Sequence, residues 1–133
     1  MKRMLAALVL ALLSAACGDP GAPAAPTPVA PTMTENFTGT LTVLGSNVHA
    51  FTVSQIGGLT VTLTSVTPSA TVQLGVGTLS GSVCSAVSAV STQPAEVPQL
   101  SGTATITGTF CVSVTDTGAL TEPAEYAITV VHS

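Results

Sequence analysis

Apolar and polar residues alternate with a period of two along most of the chain beyond residue 35. "FTGTLTV" puts Phe37, Gly39, Leu41 and Val43 on one face, and "HAFTV" puts Phe51 and Val53 on one face with His49 in register. "LTVTLT" sets Leu59, Val61 and Leu63 opposite Thr60, Thr62 and Thr64. Val72, Leu74 and Val76 share a face of "TVQLGVG", and Ala104 and Ile106 share one of "TATIT". In "TFCVSVT", Phe110, Val112 and Val114 lie opposite Thr109, Cys111 and Ser113, and "EYAITVV" groups Tyr126, Ile128 and Val130. Strict alternation is the signature of a half-buried strand. Within residues 35–133 no stretch of ten or more residues has helical period and good helix formers. Turn residues separate the runs: Gly45, Ser46 and Asn47; Gly57 and Gly58; Thr67 and Pro68; Thr107 and Gly108; Asp116, Thr117 and Gly118. Residues 81–99 read as one irregular strand and then a long loop, because Pro94 and Pro98 bar a regular element. Seven or eight strands with one apolar face each need a second sheet to cover that face. The predicted fold is an all-β, antiparallel β-sandwich over residues 35–133.

The start of the chain follows other rules. "MKRMLAALVLALLSAAC" joins a charged end (Lys2, Arg3) to an apolar run from Met4 to Leu13 and then to the small residues Ser14, Ala15 and Ala16. The run is too short to cross a bilayer as a helix, and the three parts are those of a signal peptide, residues 1–16. "SAAC" resembles the bacterial lipobox, whose cysteine is acylated after cleavage just before it. Ser14 stands where leucine is usual, and Leu13 lies one place earlier. The resemblance implies lipidation at Cys17, with the bilayer as partner. Two or three acyl chains hold a protein stably where one does so only marginally. Ordinary secretion, with Cys17 a free thiol, is the alternative. Gly18, rather than Asp, follows the cysteine, which by the sorting rule of some Gram-negative bacteria implies the outer membrane.

Residues 17–34 carry Pro20, Pro23, Pro26, Pro28 and Pro31 among alanines. Proline fixes φ and lacks a donor, so this Pro/Ala linker favours extended polyproline II. At about 3.1 Å per residue it would hold a domain roughly 50 Å from the membrane.

Charge narrows the function further. Lys2 and Arg3 are the only positive side chains of the chain. Without them six carboxylates remain: Asp19, Glu35, Glu96, Asp116, Glu122 and Glu125. Nucleic acid is excluded as a partner, because phosphate neutralisation needs Lys or Arg. Electrostatic attachment to anionic lipid fails for the same reason. If Cys17 carries lipid, two of the three cysteines, Cys84 and Cys111, remain, and in an exported protein pairing is the default. Cys111 lies on the Thr/Ser face of its strand, so the bond is expected to clip an overlying segment onto the outside of a sheet. Two ligands are too few for a metal site.

Taken in order, "HAFTVSQIGGLTVTLTSV", "ATVQLGVG", "LSGTATITGTFCVSVTD" and "EPAEYAITVVH" resemble the bacterial pre-peptidase C-terminal domain across residues 48–132. That resemblance implies a jelly-roll-like sandwich, itself non-catalytic, of the kind appended to secreted proteases. Some members bind calcium or polymer through acidic residues beside the third strand. "ATVQLGVG" lacks the Asp-x-Asp-Leu pattern of many members, and the chain carries no protease domain.

Candidate chemistry is sparse. "DTG", residues 116–118, is the aspartic-protease tripeptide, but such enzymes use two aspartates sharing a proton, and one copy preceded by Thr115 reads as a strand-end turn. His49 and His132 read as strand-edge and tail histidines. Asp116, Glu122 and Glu125 read as a solvated loop in preference to a weak calcium site. "GVGTLSG" has neither the helix nor the lysine of a phosphate loop. No G-x-S-x-G elbow occurs. The expectation is a non-enzymatic cell-envelope lipoprotein with no cofactor and no metal, presenting an acidic sandwich as a structural or protein-interaction module. A carbohydrate- or matrix-polymer-binding module and an accessory domain of a secreted hydrolase are the alternatives. Sugar sites usually use exposed aromatics, and the four aromatics here fall mostly on core faces.

Overall fold

A computed structural model describes residues 31–133. The signal peptide, Cys17 and nearly all of the Pro/Ala linker lie outside the described residues. Eight strands follow in chain order: β1 Met33–Leu41, β2 Ser46–Val53, β3 Gly57–Thr67, β4 Val72–Ser80, β5 Val83–Thr92, β6 Leu100–Ala104, β7 Gly108–Thr115 and β8 Ala124–His132. No helix occurs among the described residues. One sheet has the order β1-β8-β3-β6 and the other β2-β7-β4-β5.

The pairing has a simple rule. β1 pairs with β8, β2 with β7, β3 with β6 and β4 with β5, all antiparallel. The chain is therefore one long hairpin, with its tip between β4 and β5, rolled so that its strands fall alternately into two sheets. β8 also pairs with β3, and β7 with β4, which closes each sheet of four. This is the jelly-roll arrangement of an eight-stranded sandwich.

The alternation read from the sequence faces the core as expected. Leu41, Phe51, Val53, Leu59, Val61, Leu63, Val72, Leu74, Val112, Val114, Ile128 and Val130 are buried between the sheets. Two residues assigned to apolar faces lie outside. Val43 falls in the turn after β1, and Ile106, 59% exposed, lies past the end of β6. Two turn signals shift as well. Ser46 and Asn47 open β2, and Gly57 and Gly58 open β3. The first turn is Thr42 to Gly45, closed by a bond from the Gly45 amide to the Thr42 carbonyl, with Leu44 at φ 57°.

The largest departure is in residues 81–99. Gly81 and Ser82 form a turn, β5 is a ten-residue strand with a bulge at Val87, and residues 93–99 are loop. Serine and alanine make up half of β5, its valines (Val83, Val87 and Val90) do not alternate with a period of two, and most of its residues are exposed whichever way they point. An edge strand with little of either face buried has no need of alternation, so no period was there to read.

Candidate functional site

The side chains able to do chemistry gather where β1 and β2 run along one edge of the sandwich. Inward positions on β2 place Asn47 and His49 beside Tyr126 of β8. The Asn47 Nδ2 group donates to Tyr126 Oη (3.0 Å) and to the Thr40 carbonyl (2.9 Å). Tyr126 Oη lies 2.6 Å from His49 Nε2. Asn47 donates to the hydroxyl oxygen, and the short contact to His49 Nε2 is a hydrogen bond whose direction is set by the imidazole tautomer. Phe37 stacks on the His49 ring at 4.9 Å. Gly39 makes room for the phenol, because a Cβ there would stand 2.6 Å from Tyr126 Oη.

Burial lowers the His49 pKa below its ordinary 6.5. Burial raises that of Tyr126 above 10.0, against the opposing effect of the Asn47 bond. Both shifts favour the neutral pair. The geometry makes a strut between the sheets and holds the phenol in its protonated form.

A second pair lies in the same edge region. His132 Nε2 stands 2.8 Å from Glu35 Oε1, the imidazole is fully buried, and its ring tilts against Phe51 at 5.1 Å. The expectation of a tail histidine is corrected here. His132 ends β8 on the core side, opposite Met33 and Leu59. The period of Tyr126, Ile128 and Val130 already points residue 132 inward, and a buried imidazole needs a partner.

Asp116 is the third polar centre, and it is buried, which corrects the reading of a solvated loop. Oδ1 accepts from the amides of Gly118 (2.9 Å), Ala119 (2.9 Å) and Leu120 (3.2 Å), and Oδ2 accepts from Leu44 (2.8 Å). The Leu44 amide is the largest influence holding the carboxyl below its ordinary 3.8. Burial opposes it, and the Gly118, Leu120 and Ala119 amides add to it. The "DTG" tripeptide is thus a strand-end turn, with Gly118 at φ 117°. Its aspartate ties the β7–β8 connection to the β1–β2 turn. Asp116, Glu122 and Glu125 are not brought together, and no group of three or more His, Cys, Asp or Glu residues placed to hold a metal occurs among the described residues.

Cys84 and Cys111 are bonded, with Cα atoms 5.7 Å apart. They belong to β5 and β7, between which β4 lies. Neighbouring strands are about 4.8 Å apart, so strands two places apart should be nearly twice as far. The start of β5 must therefore fold over β4. Gly77 permits it, because a Cβ there would fall 1.8 Å from the Ser85 carbonyl oxygen. The bond clips an overlying segment onto the outside of the sheet, as Cys111's position in its strand implied. Such a bond belongs to a chain that matures in an oxidising, non-cytoplasmic compartment.

The outer face of the first sheet carries an open groove of about 380 Å³ lined by Thr38, Thr40, Ser65, Thr67, Glu125 and Ala127. Ala127 is the small residue among hydroxyls, and the β3 bulge between Leu63 and Ser65 lies beside it. Glu125 opens the run "EYAITVV" as well as belonging to the acidic loop set. It belongs to β8, between Thr40 and Thr67. No protein-family model matches the chain, and no curated protein matches it.

Proposed function

We propose that this chain is a non-enzymatic cell-envelope lipoprotein, held to the membrane by acylated Cys17 and presenting its sandwich as a structural or protein-interaction module. The observation that carries the reading is how the titratable side chains are used. His49 is spent on Tyr126, His132 on Glu35, and Asp116 on four backbone amides. Each of these three groups holds two elements together, while Glu96, Glu122 and Glu125 are exposed. The Cys84–Cys111 bond and the lipobox-like "SAAC" support export, and Gly18 favours the outer membrane. The resemblance to the pre-peptidase C-terminal domain supports an accessory, non-catalytic role.

Anchoring is tested by phase separation of whole cells in a cloud-point detergent. The wild-type chain should enter the detergent phase, and Cys17→Ser should move it to the aqueous phase. A wild type found in the aqueous phase overturns the lipoprotein reading. The hydroxyl-lined groove around Glu125 favours a second reading, a module for neutral polysaccharide. A glycan array decides between the two. Saturable binding abolished by Glu125→Ala supports the polymer reading, and an array without signal supports the protein-interaction one.

A further inference from the structure

The four sheet edges are not treated alike. An edge strand offers unpaired N–H and C=O groups to any passing strand, and folded chains blunt it with charge, proline, short length, cover or inward polar groups. β1 turns Glu35 inward to His132. β2 turns Asn47 and His49 inward, and Asn47 bonds β2 across to β1. β6 is only five residues long, and past its start the β3 edge is covered by bonds from Ala95 and Gln99 to Leu63 and Val61. β5 is ten residues long, carries no charge and no proline, and pairs only with β4. Its bulge at Val87 interrupts it once, and Ser88–Thr92 then runs in regular register.

Two further features mark this edge. Val83 and Val87 are exposed at 64% and 78%. Beside Val87 a small apolar crevice of about 100 Å³ opens between β5 and β6 onto Leu59, Val76, Leu100 and Phe110. The core thus shows to solvent here, next to an unpaired strand. The Cys84–Cys111 bond pins the start of β5, so the strand is ordered before any partner arrives.

We infer that β5 is the site of self-association, with β5 of a second copy adding antiparallel to make one continuous eight-stranded sheet. Charge selects this occupant. β4, β5 and β6 contain no charged residue; Glu35 belongs to β1, Asp116 and Glu122 to the β7–β8 connection, Glu125 to β8, and Glu96 to the β5–β6 loop, four residues past the end of β5. Pairing along β5 opposes no like charges within the strands, and it covers Val83, Val87 and the mouth of the crevice. A basic partner finds no carboxylate on β5 to bind. The inference does not depend on how the chain is anchored.

Sedimentation equilibrium of the full chain in density-matched detergent tests it. The expected result is a reversible two-chain mass. Ala89 and Ser91 are exposed on β5. The double variant Ala89→Lys, Ser91→Lys, which sets like charges facing across the junction, should weaken association about tenfold or more. A single-chain mass at every concentration overturns the inference, and so does a dimer that tolerates both lysines while circular dichroism shows the fold intact. Hydrogen exchange on the unaltered chain gives an independent reading should the variant not fold. The β5 amides that point away from β4 should be protected in the dimer and fast in dilute chain. Equal exchange in both overturns the inference as well.

Discussion

Where β6 begins, at Leu100, the β3 edge beyond Val61 still has backbone groups to satisfy, and the side-chain amide of Gln99 satisfies them. Its Oε1 accepts from the Leu63 amide (2.8 Å), and its Nε2 donates to the Leu63 carbonyl (3.1 Å) and to the Gln93 carbonyl (3.2 Å). One side chain thus imitates a strand residue beside a bulge, where a real strand could not keep register. Gln99→Ala leaves the half-buried Leu63 amide without its partner, and equilibrium urea unfolding should show a loss of about 1–3 kcal/mol. Gln99→Glu should do no better at neutral pH, because a carboxylate turns lone pairs toward two carbonyls. It should recover as the carboxyl is protonated in acid. A full-stability Gln99→Ala would show that water serves Leu63 equally well. The role of Gln99 was not legible in the sequence. Its partner lies 36 residues away, and a glutamine directly after a proline looks like any loop residue. His132 is the opposite case, since the period of β8 alone places it inside.

Among elements, the strands with one buried face were legible because burial forces a period of two on them. β5 was not, for the reason that makes it distinctive: it is an edge strand folded partly over its neighbour. The crossing depends on Gly77. A methyl group there would meet the Ser85 carbonyl, which is backbone and cannot swing aside. Gly77→Ala should therefore push β5 off β4, at a cost of about 1–3 kcal/mol from overpacking. It should also hinder closure of the disulfide, which by loop-closure entropy is worth on the order of 3–4 kcal/mol. Thiol titration of the unfolded chain reads this directly, as free Cys84 and Cys111 in the variant and none in the wild type. Gly58→Ala is the matched control, because a Cβ there meets nothing within 4 Å. If Gly77→Ala forms its disulfide fully and melts with the wild type, the close crossing of β4 and β5 is wrong.

At the scale of the whole molecule, the domain has carboxylates and histidines but no Lys or Arg, so no ordinary salt bridge contributes to its pH dependence. What remains are groups shifted by burial and by backbone amides. The His49 pKa is lowered from 6.5, so between 6.5 and the folded value the unfolded chain binds a proton that the native chain does not. Stability is fully present above 6.5 and falls as the pH drops through that window. Asp116, lowered from 3.8, contributes stability present above 3.8 and lost as pH falls through its folded value. Tyr126, raised from 10.0, acts on the other side. Above 10.0 the unfolded phenol ionises first, so stability declines with rising pH. The melting temperature should therefore be highest between about pH 7 and pH 10, with a shoulder of loss beginning near 6.5 and a steeper one below 4. Acid also neutralises mutually repelling carboxylates, which partly offsets the second loss but not the first, since they remain ionised near pH 6. His49→Gln assigns the shoulder. Its amide oxygen can accept the Tyr126 hydroxyl, yet it does not titrate, so the slope between pH 6.5 and 5 should flatten while the loss below 4 persists. A slope that survives in His49→Gln would place the titrating group elsewhere, and a wild type that melts at one temperature from pH 5 to 7 would show that His49 is as free to take up a proton in the fold as out of it.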